Sequence, residues 1–93
     1  MIKLDENWYI TSDSNSFNLV QKTLGKQKNE NGEEVEVEKY IAQSYHGSIQ
    51  SAVTRYIKLK QMERVSTKEY KNLQEAVEDL KAMQKEIENK LKI

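Results

Sequence analysis

The hydrophobic and polar positions follow their most regular pattern in the last third of the chain, residues 66–93. Apolar residues recur there at alternating spacings of three and four, which is the pattern of an amphipathic helix. The two seam positions of this heptad are filled by Tyr70, Val77, Gln84 and Leu91 and by Leu73, Leu80 and Ile87. Ser66 and Glu69 have the spacing of a capping box, so we expect one long helix to begin there.

The heptad leaves two uses for this helix open. It can cover the sheet and the first helix of its own chain, or it can pair with a second copy as a coiled coil. Gln84 is compatible with both uses, because a polar seam residue can set register or lie at the edge of a core. At about 1.5 Å of rise per residue, the C-terminal half should extend past so small a core. We therefore expect self-association, as a homodimer, through Leu80, Gln84, Ile87 and Leu91.

The first half of the chain alternates with the period of two that marks half-buried strands. Residues 2–11 form the first such segment, but Glu6 interrupts its apolar row. The segment therefore forms two short strands joined at a bend, or Glu6 lies beyond the edge of the sheet. A second strand is predicted at residues 17–24 and a polar loop at residues 25–32.

The third predicted strand, residues 33–45, has two different faces. Its apolar face carries Val35, Val37, Ile41 and, in phase with them, Tyr45. Its other face carries the acidic comb, Glu34, Glu36 and Glu38.

A first helix is predicted at residues 48–65, with Ser48 as its N-terminal cap. Strands followed by helices are typical of the α+β class. We expect a three-stranded antiparallel meander followed by a two-helix hairpin (βββαα), with the helices covering one face of the sheet. The chain should form a single domain, 1–93, with residues 1–46 in the sheet, 48–65 in the first helix and 66–93 in the second.

The composition argues against several classes of function. The 93 residues are 37% hydrophobic and 32% charged, with a formal net charge of zero. Zero net charge argues against indiscriminate nucleic-acid binding, which needs a basic surplus or a basic face. The chain has no cysteine, so neither a disulfide nor a thiolate metal site can stabilise it. It has no run of apolar residues long enough for a membrane span and no signal-peptide pattern, so we expect a cytoplasmic protein.

Two charged surfaces are candidates for partner binding. The acidic comb can be a solvated strand face partly balanced by Lys22. It can also imitate nucleic-acid phosphates or bind a basic groove of another protein. The first helix carries a basic set, Arg55, Lys58, Lys60 and Arg64. This set can be merely solvated, or it can contact phosphate or an acidic partner.

No catalytic, metal or cofactor site is recognisable in the sequence. His46 is the single histidine, and no nucleophile with an ordering acid is evident around it. The polar turn at residues 12–16 lacks the glycine and the distal glutamate of a calcium loop. We therefore expect a protein that is not an enzyme and needs no cofactor.

Several segments together resemble a known group of proteins. They are Ile2-Lys3-Leu4, Tyr9-Ile10-Thr11-Ser12-Asp13, the charged hairpin, Tyr45-His46-Gly47-Ser48-Ile49-Gln50-Ser51-Ala52-Val53 and the final Lys/Glu-rich helix. In this patterning the chain is similar to small uncharacterised early proteins of phages and prophages of Gram-positive bacteria.

The resemblance implies a non-enzymatic accessory protein that acts in the host cytoplasm by binding a host protein. Some small phage proteins of this kind are anti-CRISPR proteins, so a CRISPR nuclease is a candidate partner. The zero net charge departs from the strongly acidic members and argues against simple DNA mimicry. Two alternatives are a nucleic-acid-binding module that uses the first helix and a purely structural dimerising protein.

Overall fold

A computed structural model describes residues 1–92. The elements, in chain order, are β1 (Ile2–Lys3), β2 (Trp8–Ser12), β3 (Phe17–Lys28), β4 (Glu34–His46), α1 (Ile49–Thr67) and α2 (Leu73–Leu91). The strands form one antiparallel sheet in the order β1-β2-β3-β4. The α+β class is confirmed, but the sheet has four strands, so the prediction of three was wrong.

The fourth strand arises from the bend at Glu6. The Asp5 carboxylate accepts hydrogen bonds from the backbone N–H groups of Asn7, at 2.7 Å, and Trp8, at 2.9 Å. This short-range acceptor turns the chain, as Asp does in turns generally. β1 therefore pairs with β2, with Ile2 opposite Ile10. The two-strand reading of residues 2–11 is confirmed.

The sheet has two faces, which we name after neighbouring residues of β2. The Trp8 face carries Trp8, Ile10 and Leu19, all of them buried, and Leu19 has no exposed surface. The Tyr9 face carries Tyr9 and Val20, which lie opposite each other. Because directly opposite residues share a face, the strand register decides which side chains lie together.

A β-bulge at Gln43 reverses the phase of β4. Leu19 is opposite Ser44 but Val20 is opposite Ala42, so Gln43 is the extra residue. Tyr45 is therefore opposite Asn18, on the Tyr9 face, while Ile41 lies on the Trp8 face. The prediction that Tyr45 is in phase with Ile41 was wrong for this reason.

The β3–β4 hairpin is longer than predicted. β3 continues through Gly25 to Lys28, so only residues 29–33 connect the strands, instead of the loop predicted at 25–32. A Cβ atom at Gly25 would lie 2.9 Å from the Lys39 side chain, so the missing side chain leaves room for that lysine stem. Gly25 therefore lies within β3 and does not end the strand.

The start of α2 was also predicted wrongly. The Ser66 and Thr67 hydroxyls donate to the Glu63 carbonyl at 2.7 and 3.1 Å, so they belong to the end of α1. α2 begins after Asn72, whose side chain accepts the Glu75 N–H at 2.8 Å. Tyr70 consequently precedes the helix and does not occupy a helical seam position.

The other end-of-helix signals agree better with prediction. The Ser48 hydroxyl accepts the Ser51 N–H at 3.1 Å, which confirms Ser48 as the cap of α1. α2 ends with Lys92 in the left-handed conformation, at a φ of 60°. The last residue of the second predicted helix, Ile93, lies outside the described residues.

The chain forms two compact units, Met1–Ala52 and Val53–Ile93. The first holds the sheet and the first turn of α1, and the second holds the rest of α1 and α2. A single domain with helices over the sheet stays a prediction. No helix within the described range is long and apolar enough to cross a membrane.

Candidate functional site

The distal part of the β3–β4 hairpin forms a two-stranded arm. β2 pairs with β3 only as far as Gln21, and the Lys22 N–H makes the last backbone bond on that side, to the Asn7 carbonyl at 2.7 Å. Otherwise residues 22–28 and 34–40 pair only with each other in the part of the chain that the structure describes. We call these two segments the hairpin arm. Seven residues of antiparallel strand extend about 24 Å.

The connection at the end of the hairpin arm is held by Asn29. Its side-chain oxygen accepts the N–H groups of Asn31, at 2.9 Å, and Glu33, at 3.0 Å. Gly32 has a φ of 78°, a conformation that glycine adopts without a Cβ clash. This local network fixes the register of the hairpin arm from its tip.

The acidic comb is matched by lysines on the same face. Lys26 is directly opposite Glu36, and Lys28 is opposite Glu34. Nζ of Lys22 lies 3.8 Å from the Glu38 carboxylate, and Nζ of Lys26 lies 4.0 Å from that of Glu34. Three lysines thus accompany three glutamates, where the sequence indicated Lys22 alone. These six side chains have no net charge together, which argues against imitation of the uniformly negative phosphates of a nucleic acid.

The hairpin arm and its base expose large apolar and aromatic side chains. Leu24 is 68% exposed, and Val35, Tyr40 and Ile41 are each at least 40% exposed. The Tyr40 ring packs edge-on against Tyr9, with ring centroids 5.6 Å apart. Apolar groups gathered on one exposed element are a common feature of protein-binding surfaces.

The basic set of α1 is partly neutralised within its own unit. Arg64 contacts the Asp79 carboxylate at 3.1 Å, and Lys60 lies 3.5 Å from the Glu63 carboxylate. Arg55 is half-buried and Lys58 is exposed. Two of the four residues, Lys60 and Arg64, therefore have carboxylate partners within the chain, and Arg55 and Lys58 remain for contact with phosphate.

Three of the four predicted self-association residues lie on the less exposed side of α2. Leu80, Ile87 and Leu91 are half-buried, and the exposed Gln84 amide donates to the Glu88 carboxylate at 2.9 Å. The buried residue of α2 is Met83, which is not a seam position.

The exposed apolar edge of α2 lies instead in its N-terminal half. Leu73 is 80% exposed and Val77 is also exposed. Both residues occupy seam positions of the heptad, and both are exposed. The burial follows Ala76, Leu80, Met83 and Ile87, a stripe that is rotated from the heptad seam.

An ionic cluster around Asp79 was not evident from the sequence. The Asp79 carboxylate accepts the Tyr70 hydroxyl at 2.5 Å and an Arg64 N–H at 3.1 Å, with Lys68 at 3.5 Å. The Tyr70 hydrogen bond, helped by Arg64 and Lys68 and opposed by burial, lowers the pKa of Asp79. The same bond raises the pKa of Tyr70. The cluster ties the connection between the helices to both of them.

Within the same unit, a second bond joins the helices. The Gln61 side chain donates to the Leu80 carbonyl at 3.2 Å. Sequence periodicity cannot find such bonds, because they join polar residues from separate elements.

His46 is held between two hydroxyls. Its Nε2 is 2.7 Å from Ser44 Oγ, and its Nδ1 is 2.8 Å from Ser51 Oγ. Among residues 1–92 no carboxylate is hydrogen-bonded to the ring, whereas the general base of a Ser-His-Asp triad is oriented by an aspartate. The arrangement links the end of β4 to the first turn of α1.

The turn at residues 12–16 is organised by Asp13. Its carboxylate accepts the N–H groups of Asn15, at 2.7 Å, and Ser16, at 2.8 Å, and the Asn18 amide at 3.1 Å. The bonds from Asn15 and Asn18 contribute most to the lowered pKa of Asp13. Within residues 1–92, no group of three or more acidic residues or histidine is placed to hold a metal ion.

Comparisons with protein-family models, curated proteins and solved structures found no match to this chain.

Proposed function

We propose that this chain is a non-enzymatic accessory protein that acts by binding another protein through its hairpin arm. The observation that carries the proposal is the exposure of Leu24, Val35 and Tyr40 on a two-stranded ribbon that extends past the pairing with β2. Exposed apolar surface on such an extension lowers the solubility of the protein, and a bound partner would cover that surface.

The specific form of the proposal is an anti-defence role, in which the partner is a host protein such as a CRISPR nuclease. This form rests on the resemblance to small early proteins of phages and prophages. The paired lysines and glutamates of the hairpin arm favour contact with a protein over imitation of nucleic acid, because the row has no net charge.

A pull-down with matched variants tests the proposal. Tagged protein is incubated with lysate of a Gram-positive host, and captured proteins are identified by mass spectrometry. Leu24→Ser removes an exposed apolar side chain from the hairpin arm, and Leu73→Ser is the control, because Leu73 is similarly exposed but lies on α2. We expect one stoichiometric partner that Leu24→Ser weakens and Leu73→Ser retains.

Two results would count against the proposal. One is the absence of a stoichiometric partner from every host lysate. The other is a partner lost with Leu73→Ser and retained with Leu24→Ser, which would move the binding surface to α2. If the captured protein is a nuclease, inhibition of its DNA cleavage by the purified chain tests the anti-defence form.

A second proposal is nucleic-acid binding by α1, and it rests on Arg55 and Lys58. Within residues 1–92 neither has an ion-pair partner. With two phosphate contacts, the logarithm of the binding constant should fall with the logarithm of salt concentration with a slope of about −1.8. The absence of binding to DNA and RNA at low salt would eliminate this proposal.

A third proposal is a structural dimer. The exposed Leu73 and Val77 favour contact with a second copy, with the α1–α2 pair forming an antiparallel hairpin. Light scattering that shows a monomer at high concentration would reject it. If a dimer forms, Leu73→Glu should dissociate it more effectively than Leu80→Glu, since Leu80 is half-buried within its own chain.

A further inference from the structure

β4 is an edge strand with an open side. It is the last strand in the sheet order, so one side of its backbone has no neighbouring strand in the part of the chain that the structure describes. Residues 34–43 are exposed, apart from the half-buried Val37. The unpaired N–H and C=O groups of such an edge can form hydrogen bonds with another extended chain.

The register shows which backbone groups face outward. The Asn29 N–H donates to the Glu33 carbonyl at 2.9 Å, so this pair is hydrogen-bonded. In an antiparallel ladder bonded and non-bonded pairs alternate, so Glu34, Glu36, Glu38 and Tyr40 are in non-bonded pairs with β3. Their N–H and C=O groups therefore point to the open side of β4.

The opposite strand supports this assignment. Lys22 is opposite Tyr40, and its N–H donates away from β4, to the Asn7 carbonyl at 2.7 Å. In a non-bonded antiparallel pair, the backbone N–H and C=O groups of both residues point away from the partner strand. The alternation thus agrees at both ends of the hairpin arm.

The acidic comb belongs to the same outward-facing residues. Each glutamate has β3 on one side and the open edge on the other. The lysines of β3 approach two of them only at 3.8 and 4.0 Å, and Glu36 has no ion-pair partner among residues 1–92. The comb therefore retains capacity for cations on its open side.

We propose that the open edge of β4 binds an extended segment of a partner protein as an added strand. The segment carries basic residues at alternate positions, which lie beside the comb on the Tyr9 face. Apolar residues between them lie beside Val35 and Val37 on the Trp8 face. Backbone bonds supply affinity and alternate side chains supply specificity, as in other cases of strand addition. This inference deepens the proposed function and rests on it.

The charges disfavour a second copy of β4 at the same edge. Opposite residues share a face, so two combs paired along residues 34–38 would place glutamates of one copy against glutamates of the other. Like charges directly opposite each other destabilise a strand pair. A basic, extended segment meets no such repulsion.

Amide hydrogen exchange with a defined peptide tests the inference. The probe is acetyl-(Lys-Val)₄-amide, and the control peptide has Glu in place of every Lys. The Lys peptide should slow exchange of the Glu34, Glu36, Glu38 and Tyr40 amides. The Val37 amide should change little, because its bond to β3 exists without the peptide. The Glu peptide should have no effect.

Proline variants locate the edge that is used. Glu36→Pro removes an outward N–H, a substitution that edge strands tolerate on their solvent side. It should weaken binding of the Lys peptide about tenfold, as expected for the loss of one backbone hydrogen bond. Lys26→Pro is the control, since Lys26 is opposite Glu36 and faces the other edge of the hairpin arm. Circular dichroism checks that both variants fold, and Glu36→Gln, which keeps the N–H, tests the charge separately.

Several outcomes would overturn the inference. They are unchanged exchange with the Lys peptide, equal binding of the Glu peptide, equal losses from the two proline variants, or edge amides already protected in a dimer. If a captured host protein leaves these four amides unprotected, the inference fails and the proposed function stands. If no host protein is captured, the proposed function fails, while the peptide experiment still decides whether the edge binds basic strands.

Discussion

Replacement of Asn72 by alanine is a direct test of where α2 begins. The Asn72 side chain accepts the Glu75 N–H at 2.8 Å, with Asn72 itself in an extended conformation, at a φ of −156°. In return the Glu75 carboxylate accepts the Lys71 N–H at 3.3 Å. Alanine cannot accept the first bond, so one donor of the first helical turn loses its partner.

The expected cost follows from this single capping bond. Loss of an Asn cap destabilises a protein by about 0.5–2 kcal/mol. In a protein of this size, 1 kcal/mol corresponds to a change in Tm of about 4–8 °C. We expect Asn72→Ala to lower the free energy of unfolding by about 1 kcal/mol and Tm by a few degrees. Asn72→Asp, which keeps the acceptor, should restore most of the loss.

Urea unfolding followed by circular dichroism at the helical band measures this change. Ser66→Ala is the matched control, because Ser66 was the cap that the heptad predicted and is an end-of-helix residue in the structure. It should change the free energy of unfolding by less than about 0.5 kcal/mol, as surface substitutions usually do. The assignment of the helix start would be refuted if Ser66→Ala lowered the free energy of unfolding by about 1 kcal/mol and Asn72→Ala left it unchanged.

Three further predictions concern stability. The folded pKa of Asp79 is lowered, so its contribution is present above the unfolded pKa and is lost as pH falls through the folded value. Asp79→Asn should therefore destabilise the protein at neutral pH and flatten the fall in urea midpoint below about pH 4; an unchanged acid profile would contradict this. Leu19→Ala should cost about 2–5 kcal/mol, because Leu19 has no exposed surface. Leu73→Ala should cost less than about 0.5 kcal/mol. An equal fall in Tm for Leu19→Ala and Leu73→Ala would contradict the burial of Leu19. Gly32→Ala should cost about 1–2 kcal/mol because of its positive φ, whereas Gly47→Ala, which meets no neighbouring atom, is the control; similar midpoints for the two would reject that reasoning.

The sequence predicted the types of elements better than their ends. Alternation found the strands and heptad spacing found the last helix, because both depend on the hydrophobic period. Capping depends on one side chain, and the Ser66 and Asn72 segments both have an acidic residue three positions on. Only the three-dimensional bonds decide between them, and they favour Asn72.

The hydrophobic period of the sequence does not predict the register of the strands. A single bulge at Gln43 moved Tyr45 to the Tyr9 face, and no local signal in the sequence marks it. The candidate site shows the same limit. The sequence identified the acidic comb but matched it with Lys22 alone, whereas Lys26 and Lys28 join the same face only because β3 continues past Gly25.

The proposal that the hairpin arm binds a protein is tested most directly by amide exchange in a complex with a captured host protein. Exchange is compared between the free chain and the complex, residue by residue. The account predicts slower exchange at residues 34–40, with the largest change at the outward-facing amides of Glu34, Glu36, Glu38 and Tyr40. Slower exchange confined to α1 or α2, with the hairpin arm unchanged, would contradict it.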